Sequence, residues 1–288
     1  MKGKVHNPQL RIFLIGLCIV VFSRISTAAD PSIPTLSLAT GYNLMYDLDF
    51  ANAHQIFQSW QQQHPDDPLG PASDAAGLLF SELHRLGVLE AQFYTDDKAF
   101  DKRQKLPPDP VLKDRFNSAL NLAESRARER LEKDPKDGDG LFALTLSAGL
   151  KADYAALVEK KNLASLGYTK DASTWAQKLL AAHPNCYDAY VATGIGKYII
   201  GSMAAPVRWF LKLGGFPADK KGGIEELKLT AEKGTYLAPF ARILLAIAYV
   251  REKDKPRALA MLASLRDEFP KNPLFAREIA RLDTGNRP

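Results

Sequence analysis

Cysteine is nearly missing from this 288-residue chain: Cys18 lies in an apolar N-terminal run, and Cys186 is the other. A chain with one cysteine beyond that run closes no internal disulfide, so it must hold together through a hydrophobic core, for which it is long enough. Strand signals are equally scarce. There is no Asn-Gly hairpin and no sustained alternation of apolar and polar residues, which excludes a mainly β fold. Catalytic and metal motifs are missing as well. No two of His54, His64, His84 and His183 stand four apart, no HExxH occurs, and no GxSxG elbow occurs, so neither a zinc site nor an esterase nucleophile is supported.

Two partial motifs fail on specific residues. Residues 192–198, ATGIGKY, look like a phosphate loop, but Val191 stands where its first glycine is needed and Tyr198 where the magnesium-binding hydroxyl is needed. Residues 134–140, DPKDGDG, have the composition of a calcium loop. Lys136 replaces a carboxylate ligand, and neither Thr145 nor Ala148 supplies the closing glutamate, so the stretch reads as a turn between helices. Cys186 has no basic activator near it in sequence and reads as a small buried hydrophobe. Carboxylates such as Glu225 and Glu226, or Glu82 and Glu90, are paired in sequence, but spacing alone gives them no joint chemistry.

The residues that are present begin with a targeting pattern. Lys2, Lys4 and Arg11 precede an apolar run from Ile12 to Phe22, and Ser26-Thr27-Ala28-Ala29 comes next, with small residues suited to cleavage. Residues 1–29 are expected to be a secretory signal peptide; the alternative is an uncleaved N-terminal anchor. The formal charge of +5 owes four of its positive residues (Lys2, Lys4, Arg11, Arg24) to that segment. The rest of the chain is close to neutral, so the basic pI gives no support to nucleic-acid binding. The expected destination is the periplasm or the exterior.

Beyond residue 29 the periodicity is helical. Phe240, Ile243, Leu244 and Ile247 recur at i, i+3, i+4 and i+7 after Pro239, which suits a first helical position. Asp254 can cap the next helix, with Pro256 in its first turn; Leu259, Leu262, Leu265 and Phe269 carry the stripe to Pro270. Asn272 and Pro273 open another helix, with Phe275, Ile279 and Leu282 on its apolar side. Further helices are predicted over 36–47, 50–64, 74–90, 111–133, 140–158 and 172–183, and the polar stretch 94–110 reads as a connecting loop. None of these stripes can be buried by a helix alone, so the helices must stack.

Residue types recur within the stack. Gly41, Ala53, Phe57 and Pro65 in one segment, and Tyr249, Ala258, Leu262 and Pro270 in another, occupy the glycine or aromatic, small, large and closing-proline places of one pattern. Weaker copies end at Pro135, with Ala123, and at Pro184, with Ala172. Small residues let two antiparallel helices approach, the larger one fills the gap to the next layer, and proline stops the second helix. In these residues the chain resembles the tetratricopeptide-repeat superfamily, specifically its divergent exported members, with the clearest repeats at 34–67 and 239–272. The spacing of Pro65, Pro135, Pro184 and Pro270 departs from the steady period of about 34 residues.

The expected architecture is therefore all-α: an α-solenoid of about a dozen helices stacked as irregular antiparallel pairs over 30–288. The resemblance implies a non-enzymatic scaffold that grips a protein or peptide partner and needs no metal or cofactor. Residues 187–216 hold the least explained apolar stretch, and Tyr190, Lys197, Tyr198, Arg208 and Trp209 are its candidate binding residues, aromatic and arginine anchors being the usual energetic centres of interfaces. Two alternatives remain. The stretch could hold a lipid or lie against a membrane, although Lys197, Arg208 and Lys212 oppose a membrane span. Or the fold could be a helical-hairpin hydrolase, which would need two converging carboxylates.

Overall fold

The computed structural model describes residues 37–90 and 106–284; the expected signal peptide and most of the predicted polar loop lie outside them. Twelve α-helices are described: α1 (Leu38–Tyr46), α2 (Phe50–Gln63), α3 (Leu69–Arg85), α4 (Pro110–Lys133), α5 (Gly138–Asp153), α6 (Asn162–Ala182), α7 (Tyr190–Ser202), α8 (Ala205–Leu213), α9 (Lys220–Lys233), α10 (Ala238–Arg251), α11 (Lys255–Glu268) and α12 (Pro273–Thr284). A π-helical turn, Tyr154–Val158, extends α5, and a 3₁₀ turn, Tyr187–Ala189, precedes α7. There is no strand among the described residues.

The start of most helices is written in a short acidic or hydroxyl side chain. Ser37, Asp49, Asp109, Asp137, Asp219 and Asp254 each accept a hydrogen bond from an otherwise unpaired backbone N–H in the first turn of the helix that they precede. Two helices start earlier than the periodicity predicts. α3 begins at Leu69 because Pro71 is tolerated in a first turn, and α6 begins at Asn162, well before Ala172.

Two kinds of turn join the helices, and each repeats its own hydrogen bonds. Within a pair, the backbone crosses into the left-handed region at Leu48 (φ 63), Gly87 (φ 67) and Lys253 (φ 61). The flanking amides fold back identically there: Asp49 N–H donates to Leu44 O, Val88 to Leu83 O and Asp254 to Tyr249 O. Between pairs, the residues preceding Pro65, Pro135, Pro184 and Pro270 cap α2, α4, α6 and α11, and a tight amide bond closes the turn in each case, such as Asp137 N–H to Asp134 O and Cys186 N–H to His183 O. His64 and His183 are two of these caps.

The pairs are thus α1/α2, α3/α4, α5/α6, α7/α9 and α10/α11, with α12 covering the last. The irregular proline spacing has a structural cause: between Pro184 and Pro270 stands the whole pair α7/α9, which ends at Gly234 without a proline. Ala53, Ala123, Ala172 and Ala258 are buried on the second helix of four of these five pairs, and one turn later come Phe57, Ala127, Ala176 and Leu262, buried as well. Gly41 lies on the Phe57 ring so closely that an added Cβ would stand 2.3 Å from it. In α7/α9 two backbones touch directly: a Cβ on Gly223 would stand 2.6 Å from Gly194 O and 2.7 Å from Tyr198 N. Gly194 is thereby consumed in helix packing, as the incomplete phosphate loop requires. Asp137 likewise caps α5 and pairs with Arg130 at 2.8 Å, so the acidic 134–140 stretch is a turn.

The stack also meets itself. Tyr46 of α1 packs on Phe269 at 5.5 Å, Tyr42 stacks on Tyr236 at 5.3 Å, and Phe80 of α3 meets Phe240 of α10 at 5.8 Å. The Asn272 side chain donates to Tyr46 O at 2.8 Å. The turn before the last helix is therefore in contact with the first helix, and the inner side of the stack holds an apolar space between them.

Candidate binding sites

The five residues picked from the sequence fall in three settings. Tyr190 opens α7, half-buried, with its ring 6.4 Å from that of Tyr187. Lys197 forms an ion pair with Glu226 of α9, and Tyr198 is buried with its hydroxyl donating to Glu252 at 3.4 Å. Arg208 turns back from α8 and donates to Gly201 O and Met203 O, both at 3.3 Å. Only Trp209 stands out into solvent, at 65% exposed.

Trp209 belongs to a short helix within the apolar stretch 187–216 that the sequence singles out. α8 is inserted between the two helices of its pair and has no buried residue, yet Val207, Phe210 and Leu213 are 50%, 71% and 68% exposed beside Trp209. Its charged residues are Arg208 and Lys212, four apart on one side, with no acid in the helix. The Arg208 bonds and one from Lys170 Nζ to Gly214 O at 3.2 Å hold it in place. Val207, Trp209, Phe210 and Leu213 are thus four exposed apolar side chains on one short helix.

Inside the stack lies the second candidate, an apolar chamber of about 340 Å³. That volume falls within the range of roughly 300–1,000 Å³ for small-molecule sites. Its walls come from α1, α3, α5, α6, α7, α10, α11 and α12, with Phe80, Phe142, Ile195, Phe240 and Ile247 among them, and Ile199, 45% exposed, stands at its rim. Three carboxylates reach it. Asp188 is bound by the amides of Thr235, Tyr236 and Leu237, at 2.9, 3.2 and 2.8 Å. Burial still pushes its carboxyl up despite those donors. Glu278 is held by Arg281 through Nε at 2.7 Å. Asp153, at the end of α5, has no side-chain partner among the described residues, and its withdrawal from bulk water pushes its carboxyl up to about 7.

Three sets of reactive groups among the described residues are held in other contacts or kept apart. Paired acid and base work needs two free carboxylates, and Asp153 alone is unengaged. An Asp–His pair exists between Asp74 and His54, but the far ring nitrogen of His54 meets Arg115 at 2.6 Å where a nucleophile would have to sit. Cys186 is half-buried, and burial, with Asp188 nearby, lifts its thiol to about 11, far from a reactive thiolate. Among the described residues no three potential metal ligands converge. One helical stretch, Gly138–Val158, is long and apolar enough to cross a membrane, yet it is 67% buried inside the fold as the central helix.

Neither a protein-family model nor a curated protein matches the sequence. Among solved structures the chain is similar to that described as TTC0263, a thermophilic TPR protein in Thermus thermophilus. The two share 16% identity over 86% of this chain and 100% of that one, at a TM-score of 0.42. The fold class rests on the chain's own turns and packing: it is an all-α stack of antiparallel helix pairs.

Proposed function

We propose that this chain is an exported, non-enzymatic helical-repeat scaffold that binds a protein or peptide partner, and that α8 is the element it presents. The observation that carries this reading is the exposure of Val207, Trp209, Phe210 and Leu213 on a helix that buries nothing of its own. A nine-residue helix with four exposed large apolar side chains gains little from its own fold and gains most by being covered. Export is inferred from the pattern of residues 1–29, and N-terminal sequencing of the protein recovered from the envelope tests it. The binding reading is tested by affinity capture from the same extract: one partner is expected with the native chain and is lost with Trp209→Ala and Phe210→Ala. Capture that is unchanged in both variants would overturn the assignment of α8.

A second reading has its own observation. Arg208 and Lys212 beside Trp209 and Phe210, with no acid in the helix, match the composition of a segment that lies in a membrane interface. Co-sedimentation with anionic vesicles, lost in Trp209→Ala, would favour this reading over a protein partner.

A further inference from the structure

The chamber contains a carboxylate that the fold does not use. Asp153 ends α5, the helix whose stretch Gly138–Val158 is long and apolar enough to cross a membrane, one turn after Gly149 on the same face. An added Cβ at Gly149 would meet nothing within 4 Å, so open space lies directly beside the carboxyl group. Immediately after Asp153 comes the π-helical turn Tyr154–Val158, an irregularity that is frequent at functional sites. No lysine, arginine or histidine lines the chamber among the described residues. Its other two carboxylates, Asp188 and Glu278, already have their partners.

A lone carboxyl group in an apolar wall is unfavourable in either state: ionised it lacks a counter-charge, and neutral it lacks an acceptor for its proton. Proteins fill such positions with a partner from the chain, and the described residues offer none. We infer that the chamber is a binding site for an amphiphilic cation, an alkyl chain seated among Phe80, Phe142, Phe240 and Ile247 with a primary ammonium group on Asp153. The apolar walls supply affinity in proportion to the length of the chain, and the carboxylate selects the head group. An anionic amphiphile of the same length is rejected, because among the described residues the lining holds carboxylates and no lysine, arginine or histidine to receive its head group. This site is separate from α8 and does not depend on the function proposed for that helix.

The test is calorimetric titration of the purified chain at pH 8 with hexylamine, octylamine and decylamine below their aggregation limits, with decanol and decanoate as comparisons. Binding of the amines is expected, strengthening about fourfold for each added methylene until the chamber is filled. Asp153→Asn should weaken decylamine by tenfold or more and leave decanol unchanged. Gly149→Leu, which fills the open space without disturbing the helix, should abolish both. Trp209→Ala should leave decylamine binding intact. Absence of decylamine binding, decanoate binding as tight as decylamine, or full affinity in Asp153→Asn would each overturn the assignment. So would loss of binding in Trp209→Ala, which would move the site to α8.

Discussion

The phenol of Tyr46 in the first helix donates to the carbonyl of Tyr236, 190 residues further along the chain, at 3.1 Å. Around this bond the stack closes, with Asn272 on the carbonyl of Tyr46 and Phe269 against its ring. Tyr46→Phe keeps the ring and removes the donor, and should cost about 1 kcal/mol. Asn272→Ala removes both the bond to Tyr46 O and the cap that accepts from Leu274 N–H at 3.0 Å; about 2–3 kcal/mol should be lost. Urea unfolding checks both values, and amide exchange should rise at both ends of the chain together.

Asp188 holds the loop from which Tyr236 reaches the first helix, by accepting from three consecutive amides. Asp188→Ala leaves those buried donors without an acceptor and should cost about 3 kcal/mol or more. Asp188→Asn keeps one oxygen and should lose clearly less. The urea midpoint should fall in this order with little change in slope.

Burial raises Asp153 to about 7 from its ordinary value of 3.8. Between those values the folded chain keeps a proton that the unfolded chain has released. Stability from this group is therefore greatest below about pH 4, declines as pH rises towards 7, and levels off above it. Asp153→Asn should remove that decline, so the variant should exceed the native chain by roughly 2–4 kcal/mol at pH 8 and match it near pH 4. Denaturant titrations at the two pH values decide this.

Two glycines should respond in opposite directions. Gly223→Ala drives a Cβ into the backbone of α7 and should cost about 1–3 kcal/mol. Gly149→Ala adds a methyl to open space in a helix interior and should gain up to about 1 kcal/mol. Thermal unfolding of both variants is the measurement.

Trp209→Ala and Phe210→Ala should leave the folding stability within about 0.5 kcal/mol, since neither side chain is buried. Unfolding midpoints that match the native chain would show that any loss of partner or vesicle binding in these variants arises at the surface of α8.

Much of the fold was legible because its signals are local. The aspartates that open α2, α11 and others act on amides within one turn, and each closing proline acts on the helix just before it. The register of Ala53 and Phe57, or of Ala258 and Leu262, is visible because two helices of one pair meet within a short stretch of chain. The candidate site was much less legible. Lys197 and Tyr198 have the composition of interface anchors, and only the packing of α7 against α9 and α10 engages them inside the stack. Trp209 has the same composition, and only the ejection of α8 from its pair leaves it outside.

The sequence by itself determined that the chain is all-α, that α2, α4, α6 and α11 end at their closing prolines, and that the helices stack in pairs, because capping, proline termination and apolar periodicity operate over a few residues. Tertiary structure alone decided that the first helix meets the turn before the last, that the inner side holds a chamber, and that Asp153 lines it without a partner among the described residues. Those outcomes depend on side chains separated by most of the chain's length, and a carboxylate's surroundings become defined only when the helices that bury it have packed.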